Sequence, residues 1–198
     1  MSVVEGSTPA PVTPPAGGGN PLAGETIAID PGHGGSDPGA VANGLQEKDV
    51  VLDIGQRVQQ KLNAAGSDVV MTRTSDVYVG LEERARIANA ASASSFVSIH
   101  ANAANGAASG TETFYYTGSQ DGAELAGLIQ EEMIKALGTA DRGSKDANYS
   151  VIRNTSMPAV LAEVAFMDEP SDAEKLRSSA FREAAANAIV RGLERYYS

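Results

Sequence analysis

The sequence predicts an α/β fold: a single domain with a twisted, mostly parallel sheet flanked by helices on both faces. Three observations predict it. Short β-branched or aromatic runs alternate with longer segments of helical period from residue 25 to the end, the pattern of βαβ units. Glycines stand where two of the helical segments should stop. The chain has 198 residues and 42% apolar content, enough for one sizeable core.

Residues 1–24 are rich in Pro, Gly, Thr and Ser and read as a semi-extended linker, with the packed domain at 25–198. Such a linker fits a domain cut from a longer chain. Ile27 to Asp30 reads as a strand. Glu47 to Ala65 reads as a helix, because Val50, Val51, Ile54, Val58 and Leu62 recur on one face and Gly66 follows. Asp68 to Thr72 is a strand, Leu81 to Ala91 a helix, and Ser95 to His100 and Thr111 to Tyr116 are strands. Gln120 to Leu137 is a helix stopped by Gly138, followed by a polar loop. Val151-Ile152 reads as a short strand and Ala159 to Val164 as a longer one. Ser171 to Ser178 and Ala180 to Tyr197 close the chain as helices.

Charge and composition exclude several functions. A formal net charge of −10 argues against a nucleic-acid or anionic-membrane binder. No cysteine is present, which removes disulfides, thiolate catalysis and Cys-ligated zinc. No apolar run is long enough for a membrane span. The first residues lack the basic and apolar regions of a signal peptide, so an exported form would take its signal from upstream. Pro31-Gly32-His33-Gly34-Gly35 is glycine-rich but lacks GxGxxG and a Walker lysine, which argues against a phosphate cradle.

The two histidines, His33 and His100, each close a predicted strand. Open α/β sheets place ligands at the carboxyl ends of strands, and imidazole is the commonest metal ligand. Glu47 opens the first long helix. It either simply favours the helix N-terminus or folds back to join the histidines on a metal. Glu163 is the one carboxylate in the apolar run Ala159 to Phe166, and a buried carboxylate needs a partner, a metal or a raised pKa. Two His and one Glu form the ligand set of hydrolytic zinc sites, and a second, unligated Glu is what such a site needs to move protons. Ordinary packing roles for both histidines remain the alternative at this point.

The motifs also carry a resemblance. Residues Ile27 to Ala40 (Ile-Ala-Ile-Asp-Pro-Gly-His-Gly-Gly-Ser-Asp-Pro-Gly-Ala), Glu47-Lys48-Asp49, Thr72-Arg73, Leu81 to Asn89, Phe96 to Asn102, Gly110 to Tyr116 and Pro158 to Phe166 resemble the AmiC-like N-acetylmuramoyl-L-alanine amidases of bacterial cell-wall remodelling. The resemblance implies one Zn²⁺ held by His33, Glu47 and His100, with Glu163 catalytic. It implies hydrolysis of the amide between the lactyl group of N-acetylmuramic acid and L-alanine. It further implies peptidoglycan as partner, a monomer, periplasmic or cell-wall location, and a role in cell separation or septal channels. An activator protein is not implied by the sequence. Some relatives insert a helix that plugs the zinc site. The short segment between Glu112 and Glu163 predicts an open site here, without a self-inhibiting helix. Ala165 stands where the family often has glycine.

Further residues are candidates for supporting roles. Glu112 is read as a ligand-orienting or substrate-contacting residue, or an exposed strand residue. Arg73, Arg84 and Arg86 are read either as binders of peptide carboxylates or as partners of nearby acids such as Glu82 and Glu83. Asn102 could brace the site loop, and Asp30 or Ser98 could hold an imidazole tautomer. Tyr115, Tyr116, Tyr196 and Tyr197 read as packing residues. A non-catalytic peptidoglycan-binding module and a zinc peptidase acting elsewhere in the stem are the competing functions.

Overall fold

The computed structural model describes residues 19–198. Most of the segment read as a linker therefore lies outside the described residues. Within it, Leu22 is fully buried and its carbonyl accepts a hydrogen bond from Ser67 Oγ. The packed domain thus takes in residues ahead of Glu25.

In chain order the elements are β1 (Thr26–Pro31), β2 (Val41–Ala42), β3 (Leu45–Gln46), α1 (Glu47–Ala64), β4 (Asp68–Met71), α2 (Leu81–Ala90) and β5 (Ser95–Asn102). There follow β6 (Thr111–Tyr116), α3 (Gln120–Leu137), β7 (Asp141–Ala147), α4 (Ser150–Arg153), β8 (Ala159–Phe166), α5 (Pro170–Arg177) and α6 (Ser179–Tyr196). The six-stranded sheet runs β4-β1-β5-β8-β6-β7. The first four of these strands are mutually parallel, whereas β6 runs antiparallel to β8 and parallel to β7.

Successive strand residues face opposite ways, and each face has its own core. On one face Ile27, Ile29, Val97, Ile99, Val160, Ala162 and Val164 pack with apolar residues of α1, α3 and α6. On the other, Ala28, Phe96, Ala159 and Leu161 meet the short helices α2 and α4 through Ala88, Val151 and Ile152. By the same alternation His100 and Glu163 belong to this second face, at its carboxyl end, just beyond the cover that the short helices give.

Three local readings are corrected. Val151-Ile152 lies in the helix α4, not in a strand; two apolar residues carry no period, and as a helical turn both bury in the second core. The polar stretch after Gly138 holds β7, an edge strand whose partly exposed pattern tolerates Asp, Arg, Ser and Lys. The loop before Glu47 contains the small hairpin β2–β3, turned by Asn43 and Gly44 at φ 50° and 74°. An Asn-Gly pair in a type I′ turn is a readable hairpin signal.

Two helical glycines separate space from propensity. A Cβ on Gly192 of α6 would sit 2.7 Å from the Cα of Ile129 on α3, so only glycine lets these helices touch. A Cβ on Gly127 of α3 would meet nothing within 4 Å. Gly127→Ala should raise stability by about 0.5–1 kcal/mol, while Gly192→Ala should lower it. Urea midpoints of the two variants decide this, and equal signs would refute the packing argument.

Candidate metal centre

The site begins with a strained turn. β1 ends at Pro31, and His33 adopts φ 59°, in the left-handed region that non-glycine residues avoid. Two buried guanidinium groups hold that turn from beneath. Arg84 donates to the carbonyls of Pro31 and His33 at 2.8 and 2.6 Å. Arg73 donates to those of Pro31 and Gly32 at 2.9 and 2.8 Å. Arg84 also pairs with the buried Asp30 at 2.7 Å, and Thr72 and Ser98 donate to the same carboxylate. Arg86 instead forms an exposed pair with Glu83.

The histidines converge across this turn. A Cβ at residue 32 would lie 2.3 Å from the His100 ring, so glycine there lets the imidazole rest on the loop backbone. The two rings stand edge to face with centroids 4.9 Å apart. The hairpin β2–β3 delivers Glu47 to them from the other side of the sheet edge. Glu47 Oε2 accepts from the Ala40 N–H and Oε1 from the Ala101 N–H. Oε1 then lies 3.1 Å from His33 Nε2 and 3.0 Å from His100 Nδ1. One potential ligand atom from each of His33, Glu47 and His100 falls within 4.8 Å of the others, and such a group could hold a metal ion.

Asp37 was not singled out by the sequence. Its carboxylate lies 2.8 Å from His33 Nδ1, which directs Nε2 toward Glu47. The tautomer-holding role anticipated for Asp30 or Ser98 is not theirs, because both are engaged in the Arg84 network. Burial pulls the His33 imidazolium down, but the carboxylates of Glu47 and Asp37 outweigh it and raise its pKa to about 9. Burial pushes Glu47 up, and the two imidazoles overcome this to hold its carboxyl well below the usual range.

Glu163 sits level with His100 on one side and Glu112 on the other. Its Oε2 is buried without a hydrogen-bond partner. Burial, aided by the charges of Glu47 and Glu112 and opposed by His100, pushes its carboxyl up to about 7. Glu112 is buried but fully partnered: Asn102 donates to Oε1, and Arg142 and Lys145 donate to Oε2. A cavity of about 390 Å³ opens over His33, His100 and Glu163, with Tyr78, Leu81 and Tyr149 among its walls. Tyr78, Leu81 and Tyr149 are exposed, and none announced itself in the sequence. Tyr115, Tyr196 and Tyr197 pack against the larger core and Tyr116 against the smaller one.

A model of the N-acetylmuramoyl-L-alanine amidase family matches residues 27–195. The chain is 46% identical over 199 residues to the N-acetylmuramoyl-L-alanine amidase LytC of Bacillus subtilis, an alignment covering 98% of this chain and 40% of that one. The chain thus spans well under half of that relative's length. An N-acetylmuramoyl-L-alanine amidase from Clostridium difficile 630 superposes with a TM-score of 0.85 at 37% identity, over 87% of this chain and 96% of that one. The amidase AmiC2 of Nostoc punctiforme gives 0.84 at 38% identity, over 88% and 98%.

Replacing Arg84 by Met should leave the Asp30 carboxylate without its ion-pair partner and uncover the carbonyls of His33 and Val79. We expect a loss of about 3–5 kcal/mol in chemical denaturation. Arg86→Ala should leave the midpoint unchanged, because its pair is exposed.

A metal-stripped sample should also show an unusual pH dependence. His33 binds its proton more tightly folded than unfolded, so its stabilisation is complete below pH 6.5 and drains away as pH rises through about 9. Glu47 acts oppositely, losing its contribution only as the solution becomes acidic. Stability without metal should therefore fall by on the order of 1–3 kcal/mol between pH 6.5 and 9. A flat profile over that window in thermal melts would refute the pairing.

Proposed function

The chain belongs to the N-acetylmuramoyl-L-alanine amidase family, and on that footing we propose that it hydrolyses the amide between the lactyl group of N-acetylmuramic acid and L-alanine of peptidoglycan. His33, Glu47 and His100 would hold one zinc ion, with Glu163 as the catalytic carboxylate. The observation that carries this reading is the unpartnered Oε2 of Glu163, buried beside three converging donor atoms. A binding module without chemistry has no use for such an atom, since an unsatisfied buried oxygen only costs stability.

The donor set fits the ion. Zinc takes imidazole nitrogen and carboxylate oxygen, and three protein ligands leave a position for water or substrate. Asp37 supplies the outer partner that fixes a ligating ring. A bound zinc ion would supply Lewis-acid stabilisation of the scissile carbonyl and an acidified water.

Glu163 accepts the proton of the attacking water as the lactyl carbonyl is engaged. It then delivers that proton to the alanine nitrogen, which leaves poorly until protonated. A pKa near 7 suits a group that must do both. The products are a free stem peptide and an unmodified glycan. The Arg73 and Arg84 guanidinium groups keep His33 in place and are not offered to substrate.

We further propose that the site works without a self-inhibiting helix. The long helix between Glu112 and Glu163 is α3, whose Leu125, Ile129 and Met133 are core residues on the face opposite the cavity, while α4 is a single turn whose Val151 and Ile152 are buried in the smaller core. From that segment Tyr149, Ser150, Val151 and the β8 residue Leu161 line the cavity, which stays open over His33, His100 and Glu163. The setting is peptidoglycan remodelling at the cell wall or in the periplasm, with cell separation or septal-channel formation as its outcome. No helix among the described residues is long and apolar enough to cross a membrane.

Mass spectrometry of muropeptides from purified peptidoglycan tests the reading. The wild type should release peptides with a free L-alanine amino terminus, and chelation should abolish release until zinc is restored. Glu163→Gln should keep its zinc and lose roughly 10²–10⁴-fold in kcat. Cleavage at another stem bond, or near-normal turnover by Glu163→Gln, would overturn it.

A further inference from the structure

One group beside the site is not used by the mechanism above: the cation pair on β7. Arg142 Nε and Lys145 Nζ both donate to a single oxygen, Glu112 Oε2, at 3.1 and 2.6 Å. The other oxygen of Glu112 is filled by Asn102 at 2.7 Å. One buried carboxylate thus faces two cations, which leaves an excess positive charge in a chain whose net charge is −10. The two side chains keep 34% and 42% of their surface exposed, so this charge is presented to solvent. The Arg142 guanidinium lies over the Phe166 ring, 5.0 Å from its centre, in cation–π contact. Among the described residues, its two terminal nitrogens make no hydrogen bond. Arg142 borders a depression of about 450 Å³ shared with the Gly106–Ser109 loop and Glu169. Glu169 is occupied in capping α5 through the Asp172 N–H.

Resting on the amidase reading, we propose that Arg142 and Lys145 form a subsite for a carboxylate of the stem peptide, on the second residue from the scissile amide. In an uncleaved muramyl peptide the lactyl carboxyl is tied up in the amide, so the anionic groups lie on the peptide side. A guanidinium with two free donors matches a carboxylate bidentately. The reach also agrees. Glu112 stands one strand from Glu163 and β7 one strand further, so the cationic groups lie about 5–10 Å from Glu163. Two extended residues span at most about 7 Å. The peptide therefore crosses β6 toward β7, and the subsite discriminates a free carboxylate from its amide.

The test compares soluble muramyl peptides that differ only in a free carboxylate or a carboxamide on the second peptide residue. Cleavage by the zinc-loaded chain is followed by chromatography. The free acid should have a kcat/KM at least tenfold higher, carried mainly in KM. Arg142→Gln and Lys145→Gln should each shrink that ratio, and the double variant should bring it near one. Equal cleavage of acid and amide by the wild type would overturn the subsite and leave the amidase reading standing. Failure to cleave either peptide, and purified peptidoglycan as well, would overturn the amidase reading and this inference with it.

Discussion

Two buried guanidinium groups under one turn set the geometry of this site. Left alone, Pro31-Gly32-His33 would present three carbonyls to a low-dielectric interior and a histidine in a disfavoured conformation. Arg73 and Arg84 take up those carbonyls, and Asp30 balances part of their charge. The remaining positive charge is felt: burial and the neighbouring Arg84 both pull the pKa of Arg73 down. Such a group is tolerated because each of its three nitrogens donates to a defined carbonyl. The rigid turn then fixes His33, and the His33 ring with His100 fixes where Glu47 must end.

The reversal of β6 is the second constraint. In a wholly parallel sheet a residue near the start of a strand lies at the edge opposite the site. Because β6 runs against β8, Glu112, the second residue of its strand, comes level with Glu163. β7 follows β6 in parallel and brings Arg142 and Lys145 to the same region. The cationic rim beside the cavity is therefore a product of topology.

This explains what the sequence disclosed and what it did not. Strands with continuous apolar runs, such as Ser95 to Asn102, and helices with one apolar face, such as α1, could be read because burial writes a period into the chain. Glu163 stood out for the same reason, as the one charge in an apolar strand. Asp37 and Lys145 could not be read, because a polar residue in a loop or an edge strand looks the same whether or not it faces a site. Arg73 and Arg84 were readable as candidates but not as loop supports, since their acceptors are backbone carbonyls, which no side-chain pattern records. β7 was invisible because an edge strand with polar faces has no hydrophobic alternation.

Four carboxylates crowd this sheet edge, and their surroundings give them different work. Asp37 and Glu47 each face an imidazole, which favours their charged forms despite the cost of burial. Glu112 accepts from two cations and an amide, so both of its oxygens are occupied. Of the four, Glu163 alone keeps an oxygen with no partner in a buried position, and burial pushes its carboxyl up to about 7. A donor placed against that oxygen would stabilise its charge and remove the proton affinity that the proposed role needs. The unmet hydrogen bond of Glu163 is thus a condition of the role proposed for it, and the stability it costs is recovered in the two packed cores and the arginine-held turn around it.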